Sequence, residues 1–401
     1  MNHTLRKMGG ENNVIYLMIL LLAFFENVTR IYILSSLDIV SNIIDLITIP
    51  IYLIFALSIF IRKYNKNEIF FIGVMLVLLG YNYYCSGQAA FLKGFLVLIA
   101  CKNLEYKKII KSVKYGLIAV LALSIILYVT GVSYKVSPKD WTLTLGFGHP
   151  NVAAQVIMLC FLLHATEKFT NQSPTRYSLY IIGGIITFLL TRSKTSSTII
   201  IIIPFVINFT KYLFEKSKLF KISKFAITYS CLLLFAFSYF SAKYLMSSDI
   251  LIKLNSFFTG RIWLNWWLIN NRDITLFGQN ITMTATGIHN TLVDNWNVTI
   301  TCDNSYITWL IRMGLVPSFI VIICNILLVK KAIKNKEYGI IAINLLLTVY
   351  AFDESHMVSI IMFFTYFYLN NGFGIKHYQQ NPVKSKIQNL NVRQYVNGYI
   401  S

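Results

Sequence analysis

The sequence predicts an all-α, polytopic integral membrane protein with about 12 transmembrane helices and one large external loop. Three observations predict it. The chain is 56% hydrophobic and only 13% charged over its 401 residues, where a soluble domain carries about 25% charged residues. Apolar stretches of about 20 residues, the length that crosses a bilayer, recur along the chain. Lys and Arg gather in alternate polar segments between those stretches, as they do in cytoplasmic loops. Mean hydropathy is +0.60.

The formal charge of +20 does not read as a nucleic-acid footprint, because its cations lie in short runs between apolar segments. A lipid bilayer is the expected partner and nucleic acid is not. The six cysteines contain no Cys-x-x-Cys pair, which argues against a disulfide framework or a zinc site. The first apolar stretch lacks a small-residue cleavage site and reads as a span rather than a leader.

The expected spans are residues 14–34, 39–61, 69–84, 89–101, 113–131, 152–167, 177–190, 196–214, 223–245, 305–329, 338–351 and 357–369. This divides the chain into nine spans over 1–245, a large extracytoplasmic loop over 246–304, three spans over 305–371 and a tail over 372–401. The cations at 62–63, 102–114, 211–224 and 330–336 all fall on one side if both termini are cytoplasmic. The expected place is therefore the cytoplasmic membrane, with multiple passes. Residues 257–270, FFTGRIWLNWWLIN, read as an amphipathic helix at the membrane interface. Two features oppose the pattern. Arg192 and Lys194 fall on the outer side, and Lys93 lies a few residues inside a short span. A snorkelling side chain and a functional one both remain open for Lys93. No inverted repeat relates the two halves, which argues against a transporter.

The outer side collects a short set of reactive groups. GFGHPN at 146–151 brings His149 and Asn151. Pro150 suits a helix's first turn, so His149 also reads as a helix-start residue. LLTRSKTSST at 189–198 brings Arg192 and Lys194, the long loop brings Arg261, Arg272, Asp294 and Asp303, and FDESHM at 352–357 brings Asp353, Glu354 and His356. Fixed cations suit a phosphate or pyrophosphate. A carboxylate or a His suits removal of a hydroxyl proton. Asn side chains suit sugar hydroxyls. Together they fit transfer of a glycan from a lipid-linked pyrophosphate to an acceptor hydroxyl. No metal or other cofactor is expected, since arginines can supply the electrostatics and no Asp-x-Asp stands at a span end.

Four stretches carry a resemblance: GFGHPN at 146–151, TRSK at 191–194, TGRIWLN at 259–265 and DNSYITWLIRMGLVP at 303–317. With them the chain resembles the oligosaccharide repeat-unit polymerases (Wzy-type) of bacterial surface polysaccharides, relatives of the O-antigen ligases. The ligases' His-containing motif, followed at a fixed distance by glycine, falls on Asp303, Asn304 and Gly314. Asp303 thus stands where the ligases carry histidine. The ligases' arginine motif falls on Arg261, with Asn265 in place of leucine.

The resemblance implies a metal-independent inverting glycosyltransferase acting on undecaprenyl-pyrophosphate-linked oligosaccharide. It would build capsule, O-antigen or exopolysaccharide beside a chain-length regulator and a flippase. Asp303 and His149 would be catalytic, Arg192, Lys194 and Arg261 would hold pyrophosphate, and Asn151, Asn304, Glu354 and His356 would contact the acceptor or its sugars. A ligase that moves a finished glycan, and a lipid-linked oligosaccharide flippase, remain alternatives.

Overall fold

The computed structural model describes residues 2–133, 143–168, 174–216, 221–258, 260–281, 302–354, 359–361 and 363–372. Among these the chain is helical, with no β-strand and a single isolated backbone bridge between Ile31 and Phe147. Five helices are long and apolar enough to cross a membrane: Asn42–Ile61, Lys66–Ser86, Tyr106–Val129, Lys194–Glu215 and Leu315–Lys334. The pair Lys221–Thr228 and Ser230–Lys243 makes a sixth if its two parts, bent by 72°, form one span. Asn12–Val28, Ala90–Ala100, Thr175–Thr191 and Tyr338–Asp353 are apolar but shorter. An 11-residue helix such as Ala90–Ala100 is about 16 Å long, about half of a bilayer's hydrocarbon thickness.

The architecture is therefore a helical membrane protein with five to six long apolar helices, and three of the expected spans depart from a plain helix. The 223–245 stretch bends at Tyr229, where the Thr228 hydroxyl donates to Lys224 O at 2.7 Å. Such back-bonding competes with the helical ladder and bends helices. The 357–369 stretch forms no α-helix over its described residues, which end in a 3-10 helix, Phe364–Gly372. Its carbonyls are met from outside: Lys331 Nζ donates to Tyr368 O at 2.7 Å and to Leu369 O at 3.1 Å.

The 305–329 stretch breaks at Gly314. Ser305–Thr308 is α-helical, Trp309–Met313 is a π-helical turn, and the helix resumes as Leu315–Lys334. The break is stitched to residues 275–279. Leu315 N–H donates to Thr275 O at 3.0 Å, Val316 N–H to Leu276 O at 2.9 Å and Gln279 N–H to Arg312 O at 3.2 Å. Asn82 Nδ2 donates to both Phe277 O and Met313 O at 2.7 Å. These bonds take up the backbone groups that the interrupted ladder leaves over, which an apolar setting demands. Gly314 has φ 89°, and a Cβ there would lie 2.2 Å from Gly278 N.

Helix ends meet in two groups. At one end Arg62 donates to Lys102 O, Lys102 pairs with Glu68 at 2.7 Å, and Lys114 pairs with Glu167. The other end holds the turns around Arg30, Phe147, Arg192, Arg261 and Asp353 and is described below. Between the two, Tyr306, Trp309 and Tyr350 are fully buried in the core. The FFTGRIWLNWWLIN stretch divides: Asp249–Phe257 is one helix and Arg261–Asn271 another. The second buries Ile262, Asn265, Leu268 and Ile269, with Leu268 and Ile269 in one cluster with Ala242, Cys302, Ile307 and Ile311. It is thus docked on the protein along that face.

Gly314→Ala is expected to lower stability by about 2 kcal/mol or more, combining left-handed strain with a backbone clash. Thermal unfolding of the purified variant in detergent checks this, with a melting temperature equal to that of the parent protein as the contrary result.

Candidate functional site

The GFGHPN turn is built by backbone constraint. Gly146 has φ 84°, and a Cβ there would lie 2.6 Å from Ser124 O, so only glycine fits. Tyr32 N–H donates to Gly146 O at 3.0 Å, and Gly148 N–H to Arg30 O at 3.4 Å. Ile31 and Phe147 are both fully buried in the same cluster. The turn is thereby laid against the segment 30–32.

His149 precedes the Pro150–Lys168 helix, and its Nδ1 accepts the Asn151 N–H at 3.2 Å. The imidazole thus does the work of an N-cap side chain. An accepting Nδ1 is unprotonated, so in the neutral ring the proton sits on Nε2. Burial pushes the imidazole below its usual value, with Asp303 pulling weakly upward, which favours that neutral form. In this state His149 offers an N–H donor rather than a base. Asn151 is half-buried one helical turn before Gln155.

Arg30 reaches across from the turn after the first helix. Its Nη1 donates to Gln155 Oε1 at 2.7 Å. Burial lowers its pKa, while Tyr350, Glu26 and Glu354 lie close enough to oppose that electrostatically.

The centre of the site is Arg261. Its guanidinium donates to Asp353 and lies 3.4 Å from Asp303 Oδ2. Asp353 also accepts from the Thr195 hydroxyl. Asp303 is held from the next residue: Asn304 Oδ1 caps Tyr306 N–H at 2.9 Å and Ile307 N–H at 3.2 Å, and its Nδ2 donates to Ser238 Oγ at 3.0 Å. The Asn304 side chain is buried and bonded within the protein, so it positions Asp303 rather than facing a sugar.

Two carboxyl groups differ in environment. The Asp303 side chain is 41% exposed beside Arg261, whereas Glu354 is only 6% exposed. Burial raises Glu354 to about 7, with Asp303 pushing the same way and Arg261 and Arg30 pulling against it. A carboxyl that titrates near neutral pH suits proton transfer.

Of the residues singled out in the sequence, the structure brings Asp303, Asn304, Arg261 and Glu354 together, with His149 within electrostatic reach of Asp303. Arg192 and Lys194 are both exposed. The Arg192 guanidinium lies 5.7 Å from the centre of the Phe188 ring, and the residue of that loop that bonds into the cluster is Thr195. His356 and Asp294 lie outside the described residues.

Sequence reading missed Arg30, Glu26 and Gln155. Glu26 and Arg30 were legible as ionisable residues inside an apolar run, which mark a working site in a membrane. Gln155 was legible as the i+4 neighbour of Asn151 on one helix face. Among the described residues no group of three His, Cys, Asp or Glu side chains is arranged to hold a metal ion. Comparison with known proteins adds no family: no family model, no curated protein and no solved structure matches the chain.

The raised Glu354 carboxyl has a sign that can be checked. A carboxyl whose folded value lies above its unfolded one favours the folded state most below the ordinary 4.5, and that contribution is lost as pH rises through about 7. Melting temperature is therefore expected to fall across this window in the parent protein relative to Glu354→Gln. Parallel pH profiles for the two would contradict the burial of a titrating Glu354.

Proposed function

We propose that this chain is a membrane glycosyltransferase that polymerises undecaprenyl-pyrophosphate-linked oligosaccharide repeat units into a surface polysaccharide, at the outer face of the cytoplasmic membrane. The observation that carries the reading is the convergence of Arg261, Asp303, Asp353, Glu354 and Arg30 from four distant stretches of the chain at one end of the helical bundle. In the proposed topology the chain crosses the membrane twelve times, with both termini and the Glu68–Lys102 end in the cytoplasm.

A second observation supports a lipid-borne donor. A cavity of about 650 Å³ runs between the helices Lys66–Ser86, Ala90–Ala100 and Leu315–Lys334 and the segment after residue 359. Phe71, Met75, Phe91, Val321 and Phe363 are among its mostly apolar lining residues. At the end of the lining, Ser359 donates to Glu26 at 2.5 Å, and Glu26 lies within electrostatic reach of Arg30. The apolar wall suits a hydrocarbon tail; Glu68 and Lys102 also line the cavity, and Ser359 is the lining residue that bonds to Glu26 beside the charged cluster.

In the proposed reaction an acceptor hydroxyl gives its proton to Asp303 or to ionised Glu354. Its oxygen forms a bond to the anomeric carbon from the side opposite the pyrophosphate. The bond from that carbon to the pyrophosphate oxygen breaks, the configuration inverts, and the lipid pyrophosphate leaves with the electron pair. Fixed guanidinium groups stabilise the negative charge that develops on the leaving group.

Purified protein supplied with lipid-linked repeat units is expected to lengthen them, and Asp303→Asn to slow the transfer by about 10²–10⁴-fold. Near-normal transfer by this variant would move the base role to Glu354. Lipid-linked units that cross liposome bilayers but are never joined would overturn the enzyme reading in favour of a flippase. Long chains accumulating on the lipid carrier after deletion of the gene would overturn it in favour of a ligase.

A further inference from the structure

We infer that Arg30 and Gln155 form an oxyanion-binding pair that takes a phosphate oxygen of the substrate, a role that rests on the glycosyl-transfer reading above. Three observations carry it.

The first is charge. Arg261 is answered by two carboxylates, Asp303 and Asp353. Among the described residues Arg30 makes no ion pair. The nearby Glu26 is already held by the Tyr52 hydroxyl at 2.7 Å and the Ser359 hydroxyl at 2.5 Å. Arg30 is thus a guanidinium at this end outside any direct ion pair, with Glu26 and Glu354 acting on it at longer range.

The second is an orphaned donor. Gln155 is 1% exposed, and its Nε2 has no hydrogen-bond partner. The amide's orientation is set by Arg30, which can only donate, so the atom 2.7 Å from Nη1 is the oxygen. The two N–H donors of Nε2 are therefore buried without an acceptor, which is unfavourable. An anion oxygen beside Arg30 satisfies them.

The third is rigidity. Gly148 N–H bonds Arg30 O, Tyr32 N–H bonds Gly146 O, and Ile31 bridges Phe147. The segment carrying Arg30 and the turn leading into the Gln155 helix are one unit. A fork-shaped guanidinium and an amide presented from one rigid unit match two oxygens of a phosphate group. In the proposed arrangement the guanidinium takes one oxygen, and Nε2 takes the other.

The test is binding by the full chain in nanodiscs, with undecaprenyl pyrophosphate and inorganic pyrophosphate as separate probes. Gln155→Glu replaces the orphaned donors with a carboxylate partner for Arg30, and Gln155→Met removes them without adding charge. Both are expected to weaken binding by about 10-fold or more, the size of one charge-assisted hydrogen bond. Gln155→Glu is also expected to keep or raise the melting temperature, since it pairs a half-buried cation. A merely structural role would move binding and melting together.

Loss confined to the lipid probe assigns the phosphate to the lipid headgroup, and loss confined to the inorganic probe assigns it to the free ion. Equal binding by parent and both variants overturns the pair. The two readings fail separately. Normal binding by Gln155→Glu with intact transfer in the parent removes the pair and leaves the transferase. Gln155-dependent binding in a parent that never joins units leaves the pair and removes the transferase.

Discussion

The shared guanidinium of Arg261 is the interaction on which this end of the molecule depends. It joins the helix that follows the Gly260 turn, the residue just before the N-cap of the broken helix, and the last residue of the Tyr338–Asp353 helix. A charge in such a place is costly unless it is paired and bonded on all sides. The pairing is completed by Thr195 on Asp353 and by Asn304, which is fixed beside Asp303 by accepting from the Tyr306 and Ile307 N–H groups. A single cation thus locks together pieces of chain that are 42 and 92 residues apart in sequence. Glu354, next to Asp353, is buried, and that burial raises its pKa against the opposing pull of Arg261.

The break at Gly314 is the second constraint, and it serves the first. A continuous helix from Ser305 onward would satisfy its own backbone and have no reason to meet the 275–279 segment. The interruption releases N–H and C=O groups that must find partners away from water. They find them on Thr275, Leu276 and Gln279, with Asn82 bridging two carbonyls from a third helix. The 275–279 segment is thereby anchored to the helices on either side of the break that follows Asp303.

Much of this was legible in the sequence, for physical reasons. Hydropathy reports burial in lipid directly, so the helical class and most helix positions follow from it. Lys66–Ser86 is also announced by its caps, with Asn65 and Glu68 forming a reciprocal capping box and Gly87 in the left-handed conformation at its end. The breaks at Tyr229 and Gly314 were not legible, because a π-helical turn and a bend leave the composition of an apolar run unchanged. Asp303, Arg261 and Glu354 were legible as polar residues in turns. Arg30 and Gln155 were overlooked because each sits within an apolar stretch, where hydropathy averages over a single charge or amide. Arg192 and Lys194, an unusual pair of charges in their loop, are exposed, and the bond from that loop to Asp353 comes from the neutral Thr195.

His149 carries a consequence for which substitutions the site can accept. One ring nitrogen holds the start of the Pro150–Lys168 helix, which keeps the ring from turning freely and leaves the other nitrogen to carry the proton. The conformational entropy of that donor is thus lost when the protein folds. Only side chains with an acceptor to hold the helix and a separate donor can stand in for the ring. Asparagine meets that condition, while lysine, with donors alone, and leucine, with neither, do not. Variation at this position is therefore filtered by folding, through the acceptor that holds the helix start.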